Sequence, residues 1–390
     1  MKKFSLLAVL AGLLILSCSK SNPVLTVDGG KITGELTDSS SVMVYRGIPY
    51  AAPPVGEYRL KDPQSVIPWE GVRECTAFSA IAPQPGNPRG TFYGEEFYWM
   101  PQPEQSEDCL YLNVWAPAKT VGKTDAGLPV AMWIHGGAFV NGYGFEVTMD
   151  GDKWAQKGVI LVTINYRLGE NAAGNLNIMD QIAALKWIQR NIAQFGGDPS
   201  NVTIFGQSAG GMSVRTLLIS PLAKGLFAKA IIQSGGGMGL DQLGTILPFA
   251  PKVDGNVVPE PFDQAVTDGT IADIPIMTGF NSQDLPFFTE ESVGAFCSLR
   301  SSLGTAPVYE YEFTRDLPGE DKDVSDVLPG AFHSAELWYV FGTLGRSWRP
   351  FTEEDYALSE EIVSAWTDFC KAGSPGWPAY TNDNPYKKIF

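Results

Sequence analysis

The chain is 390 residues long and 44% hydrophobic, enough for one large core or two small ones. Its 43 acidic against 28 basic side chains give a net charge of −15, and with no basic patch along the chain that balance excludes a nucleic-acid partner. Two histidines and the absence of C-x-x-C spacing exclude a histidine-rich metal site.

"MKKFSLLAVLAGLLILSCSK" opens with two lysines, runs apolar from Phe4 to Leu16 and ends on small residues around Cys18, the pattern of a bacterial export leader over residues 1–17. The apolar run is too short to span a bilayer comfortably, and no other stretch is apolar enough to try. Ile15-Leu16-Ser17-Cys18 resembles a lipobox, where cleavage before the cysteine leaves Cys18 lipid-modified at the new N-terminus. The alternative is a cleaved leader with an incidental cysteine. Either way export is expected: a cell-envelope lipoprotein, on the periplasmic side or outer surface, tethered through lipid at Cys18, or a periplasmic or secreted protein without it. Four cysteines remain, Cys75, Cys109, Cys297 and Cys370, and an oxidising compartment permits pairing without saying which.

Residues 18–390 show no repeats, charge blocks or long linkers and are expected to form a single domain. "VLTVDGGKITGE" (24–35) predicts a hairpin turning at Asp28-Gly29-Gly30. A proline-rich approach follows, and then apolar strands alternate with helical periods. "LYLNVW" (110–115), "PVAMWI" (129–134), "VILVTIN" (159–165), "NVTIF" (201–205), "KAIIQS" (229–234) and "IPIMTGF" (274–280) are the strands, several apolar throughout as buried central strands should be. In "MDQIAALKWIQRNIAQF" (179–195), Ile182, Ala183, Leu185, Ile188, Ile192 and Phe195 fall on one helical face, and Gly196-Gly197-Asp198-Pro199 ends it. A second helix is predicted from Ala209. The alternation predicts an α/β fold: a mostly parallel central sheet with helices on both faces.

"FGQSAGG" (205–211) contains Gly206-Gln207-Ser208-Ala209-Gly210, a G-x-S-x-G match that 42 glycines make cheap. Its surroundings make it informative. A strand precedes it and a helix follows, as a nucleophile elbow requires, so the Ser208 hydroxyl would project at the carboxyl end of the sheet. A serine hydroxyl needs a base, and the chain offers His135 and His333. His135 opens "HGGAF" just after a strand, where Gly136, Gly137 and Ala138 suit an oxyanion hole better than a base. His333 in "GAFHSAELWYVFG" is therefore the candidate base. A carboxylate should orient it and, in the chain order of such hydrolases, lie between residues 208 and 333 after a strand. Asp284 fits, with Asp254, Asp273, Glu290 and Glu291 as rivals.

The chain resembles the type-B carboxylesterases of the α/β-hydrolase fold, the family that includes the cholinesterases and bacterial broad-range esterases. The resemblance rests on "YRGIPYAAPPVGEYRLKDPQ", "SEDCLYLNVWAP", "WIHGGAF", "INYRLG", "MDQIAALKWIQRNIAQFGGDPSNVTIFGQSAGG", "GAFHSAELWYVFGTL" and "WPAYT", in the family's order. It implies a serine carboxylic-ester hydrolase acting through an acyl-enzyme, with Ser208 as nucleophile, His333 as base and Gly137, Ala138 and Ala209 as oxyanion-hole donors. The implied partner is a small-molecule ester, and no metal or organic cofactor is implied. The family's acid is usually a glutamate followed by glycine; here the aligned pair is Asp284-Leu285, one methylene shorter. Gln207 stands where cholinesterases carry a glutamate, and no aromatic site for a quaternary ammonium is visible, so choline esters are not expected. Cys109 occupies the family's disulfide position, whose usual partner site is Ala82 here, and Cys75, seven residues earlier, is the expected substitute. The chain is also compacted after "NYRLG", after "QSGGG" and between Phe288 and "APVYEYEF". Those deletions would open the active-site gorge, and they carry the alternative that the chain is a catalytically impaired or non-catalytic binding member of the same fold.

Overall fold

The computed structural model describes residues 22–86, 90–319 and 330–390. The leader over 1–17 and Cys18 lie outside the described residues. In chain order the strands are β1 (Val24–Val27), β2 (Gly30–Thr33), β3 (Glu35–Leu36), β4 (Val42–Pro49), β5 (Val72–Glu74), β6 (Tyr111–Pro117), β7 (Leu128–Ile134), β8 (Ile160–Ile164), β9 (Gly197–Gln207), β10 (Lys229–Gln233), β11 (Ile276–Asn281), β12 (Val308–Phe313) and β13 (Lys387–Ile389). β1 and β2 form the predicted hairpin, with Val27 opposite Gly30 and Gly29 at φ +89° in the turn. With β5 they make a small sheet.

The other ten strands form one sheet in the order β13-β12-β11-β10-β9-β7-β8-β6-β4-β3. From β13 to β8 every neighbour is parallel; β6, β4 and β3 then close the edge antiparallel. β7 shows why this sheet must be covered twice. Val130, Met132 and Ile134 enter one apolar cluster while Ala131 and Trp133 enter another, and all five are wholly buried. The alternation follows from the two-residue period of a strand.

The helices that cover the two faces are α1 (Phe92–Phe97), α2 (Asp152–Gln156), α3 (Leu176–Asn191), α4 (Ala209–Ile219), α5 (Leu243–Ile246), α6 (Phe262–Asp268), α7 (Glu290–Leu303), α8 (Leu337–Phe341) and α9 (Glu353–Ala372). α3, α4 and α7 bury Ile182, Leu185, Val214, Leu217 and Phe296 in the first cluster. α2, α8 and α9 bury Trp154, Phe341, Val363 and Trp366 in the second. α3 starts three residues before the predicted helix and passes into a 3-10 turn at Ile192–Phe195, which Gly196 ends at φ +90°. A capping box between Thr352 and Asp355 starts α9.

The expected Cys75–Cys109 bridge is absent: both cysteines are free and buried, as are Cys297 and Cys370. The reason lies in how the two segments meet β4. The Cys75 carbonyl accepts from Arg46 N, whereas Leu110, beside Cys109, accepts from Tyr50 N. The two cysteines are thus held against β4 at positions four residues apart, Arg46 and Tyr50, rather than opposite each other as a disulfide requires.

Candidate active site

Ser208 stands between the end of β9 and the first residue of α4, with φ 58° and ψ −124°. A non-glycine residue held there costs about 1–3 kcal/mol, which the packing around it must offset. The Ser208 N–H donates to the Gln233 carbonyl at the end of β10, and its carbonyl accepts from Met212 N in α4. Both flanking glycines are sterically required. A Cβ on Gly206 would stand 2.8 Å from the Ile134 carbonyl oxygen, and one on Gly210 would press into that same oxygen and come within 2.8 Å of the His135 carbonyl. The motif thus reads as a contact between the elbow and β7.

The opposite wall is the turn after β7. Gly137, Ala138 and Phe139 follow one another at φ 102°, 53° and 62°. Among the described residues nothing accepts the Gly137 or Ala138 N–H. Ala209, first residue of α4, carries one of the orphan N–H groups of a helix start. Such donors are what a developing oxyanion needs. His135 lies behind this turn, fully buried and stacked on Tyr166 at 4.2 Å. Burial lowers its pKa to about 4, only partly opposed by its contact with the Gly136 carbonyl. It is a neutral packing group that never faces Ser208's cavity.

His333 follows a bridge between Gln283 and Phe332, is 7% exposed and stacks on Phe288 with ring centroids 5.5 Å apart. Its Nδ1 lies 2.6 Å from Asp284 Oδ1. Asp284 comes three residues after β11. Its Oδ1 also accepts from Leu285 N at 2.8 Å, while Oδ2 accepts from Asn281 N at 3.0 Å and Ser234 Oγ at 2.6 Å. A carboxylate surrounded by donors puts the imidazole proton on Nδ1 and leaves Nε2 as an acceptor. The Gln207 amide nitrogen stands 3.2 Å from that Nε2. Ser208 Oγ makes no hydrogen bond to it in this state, a looseness common before substrate arrives.

The rival carboxylates are placed elsewhere. Asp254 is held by Asn175 and by its own turn, Asp273 by Arg300 and Thr305, and Glu290 by Lys387. Glu291 is exposed in the first turn of α7.

Ser208, His333, Gly137 and Ala138 line one cavity of about 330 Å3, together with Tyr93, Phe97 and Tyr98 of the α1 segment. Phe92 and Phe97 of this stretch are buried, and Tyr93, Phe97 and Tyr98 reach the cavity. Glu96, between them, anchors α1 by accepting from Trp338 Nε1 and Arg349 Nε, each at 2.8 Å. Beneath the site, Glu336 accepts from Asn281 Nδ2 at 2.7 Å and Gln233 Nε2 at 3.2 Å. Burial raises its pKa, with the Asn281 bond working the other way. Sequence reasoning missed Ser234, Asn281, Glu336 and Glu146. The one signal available was Glu336's place three residues after His333 on the same short turn.

The chain matches the family model described as "Carboxylesterase family" over residues 21–242 and 293–389. It is 35% identical to a para-nitrobenzyl esterase of Bacillus subtilis (strain 168), with 92% of this chain and 93% of that protein covered. It is 28% identical to a human cocaine esterase, covering 98% and 91%. A solved PNB esterase structure superposes with a TM-score of 0.80 at 32% identity, over 95% of this chain and 96% of that one. About 359 residues of this chain are spread over 466 positions aligned with the Bacillus protein, so roughly a hundred of those positions have no residue here. The stretch outside the family model, 243–292, contains Asp284.

Proposed function

The chain belongs to the carboxylesterase family and hydrolyses carboxylic esters, and we propose that it does so through an acyl-enzyme on Ser208, with His333 as general base and Asp284 as its carboxylate partner. Ser208 Oγ attacks the acyl carbonyl while its proton passes to His333 Nε2. The N–H groups of Gly137, Ala138 and Ala209 hold the oxyanion of the tetrahedral intermediate. His333 returns the proton to the departing alcohol. Water then takes the alcohol's place and attacks the acyl carbon while giving a proton to the same nitrogen; the bond from that carbon to Ser208 Oγ breaks, His333 returns the proton to Ser208 Oγ, and the acid is released. The observation that carries this reading is the 2.6 Å contact between His333 Nδ1 and Asp284 Oδ1 at the wall of the cavity that Ser208 lines.

A fluorophosphonate probe tests it. One covalent adduct is expected, located by peptide mass at Ser208 and absent from Ser208→Ala, which should also lose esterase activity while keeping its melting temperature. No adduct on folded protein would favour the non-catalytic reading. The leader over 1–17 supports a second proposal: export to the cell envelope and attachment through lipid at Cys18.

A further inference from the structure

Glu146 is the one acidic side chain among the described residues that line the Ser208 cavity. It sits in the segment joining the oxyanion turn to α2, and that segment is tied down on both sides. Tyr143 N donates to Glu146 Oε1 at 3.1 Å, Met149 N to the Glu146 carbonyl at 2.9 Å, and Val147 N to Phe97 O of α1 at 3.1 Å. The residue as a whole is 6% exposed. Its other oxygen, Oε2, has no partner among the described residues and is not sealed off, so it is the part that meets the cavity.

The groups facing it are uncharged or distant partners of others. Tyr143 and Tyr166 stay phenols because burial, and secondarily Glu146 itself, raises their pKa values. Tyr93 and Tyr98 come from the α1 segment, where Glu96 is already paired with Arg349. His135 is neutral, and His333 is held by Asp284. No lysine or arginine lines the cavity among the described residues. Burial pushes the Glu146 carboxyl up to about 8, the Tyr143 N–H bond offsetting part of the rise. At neutral pH the side chain is therefore mainly a carboxylic acid, with Oε1 accepting from the backbone and the proton on Oε2.

We propose that Glu146 is a specificity-determining residue whose Oε2–H donates to a second acceptor oxygen on the substrate, so that esters bearing such an oxygen are preferred over plain alkyl esters. This rests on Ser208 being the nucleophile of the same cavity. A buried donor left unpaired by an alkyl group makes the discrimination, on the order of 10- to 100-fold in kcat/KM.

The test compares isosteric pairs in which one methylene is an ether oxygen: p-nitrophenyl methoxyacetate against butyrate for the acyl side, 2-methoxyethyl against butyl butyrate for the alcohol side. For one pair, the ether-to-alkyl ratio of kcat/KM should fall about 10- to 100-fold in Glu146→Leu and stay close to wild type in Glu146→Gln, which keeps a donor. In the wild-type enzyme that ratio should also fall as pH rises from 6.5 to 9, because the ionised group can no longer donate; in Glu146→Gln it should be flat. Taking a ratio cancels any pH dependence of the acyl-transfer steps that both substrates share. A wild-type ratio independent of pH for both pairs overturns the proposal even where a variant fails to fold, as does an unchanged ratio in Glu146→Leu. Fluorophosphonate labelling of Ser208 in each form separates these outcomes from failure of the serine-nucleophile reading.

Discussion

Ser234 Oγ and Asp284 Oδ2 are 2.6 Å apart although fifty positions separate them in the chain. The ends of β10 and the loop after β11 are thereby fixed to each other through the carboxylate that faces His333. Asp284→Asn should lower kcat by on the order of 10⁴, since an amide cannot hold the imidazole in the required tautomer. Ser234→Ala removes one charge-assisted bond and should lower kcat about tenfold with little change in KM. Asp273→Asn and Glu290→Gln, whose carboxylates serve Arg300 and Lys387, should retain near wild-type kcat. Steady-state kinetics on the four purified proteins decides the assignment. Collapse of Asp273→Asn or Glu290→Gln beside an active Asp284→Asn would refute it.

Gly210→Ala should be among the most damaging single-methyl changes in the molecule. The new Cβ meets two backbone oxygens, of Ile134 and His135, neither of which can move without shifting β7. A loss of about 3 kcal/mol or more is expected. Gly225→Ala makes the control: that glycine has φ +79° and nothing within 4 Å of the new atom, so only backbone strain of about 1–2 kcal/mol is added. Thermal melts of the two variants, compared with wild type, measure the difference.

Glu146 also gives stability a pH dependence of definite sign. Its carboxyl titrates near the ordinary 4.5 when unfolded and at about 8 when folded. Between those values the native state keeps a proton that the unfolded state has released, so stability falls as pH rises from 4.5 to 8 and levels off above. His135, lowered from 6.5 to about 4, works in the opposite direction between pH 4 and 6.5. Glu146→Gln removes only the first effect. Its melting temperature relative to wild type should therefore climb from pH 5 to pH 8, by the equivalent of a few kcal/mol at most. A difference that stays constant with pH would show that Glu146 is ionised throughout.

For location, the full precursor expressed in a host that processes lipoproteins should sediment with membranes, and Cys18→Ser should appear in the soluble fraction. Equal partitioning of the two forms would rule out the lipid.

Much of the site was legible because its residues obey local geometry. The elbow glycines, the run of glycines after β7 and the helix starting at Ala209 each fall in a short stretch of sequence, so they leave a compact pattern even where, as at Gly206 and Gly210, the contact that requires them is with distant β7. β4 was harder. "VMVYRGIP" carries a proline, a charged residue and Gly47 at φ +68°, and its pairing with β6 is irregular between Tyr45 and Ile48, so it reads as a loop approach. β12 hid for another reason: "VYEYEF" alternates like an exposed strand, yet β11 and β13 enclose it and Glu310 is only 3% exposed. Ser234, Glu336 and Glu146 matter through partners tens to hundreds of positions away or through a cavity, and no spacing rule records either. The disulfide failed on the same ground: the pairing that the family resemblance implies is a long-range contact, and Cys75 and Cys109 are set against different positions of β4.

The four cysteines of the described residues carry no crosslink, and burial keeps them inert. Burial pushes Cys75 up to about 11 and Cys370 to about 12, and raises Cys109 and Cys297 as well, so none offers the thiolate that exchange or alkylation requires near neutral pH. Dithiothreitol in an assay buffer should leave the protein's melting curve where it was.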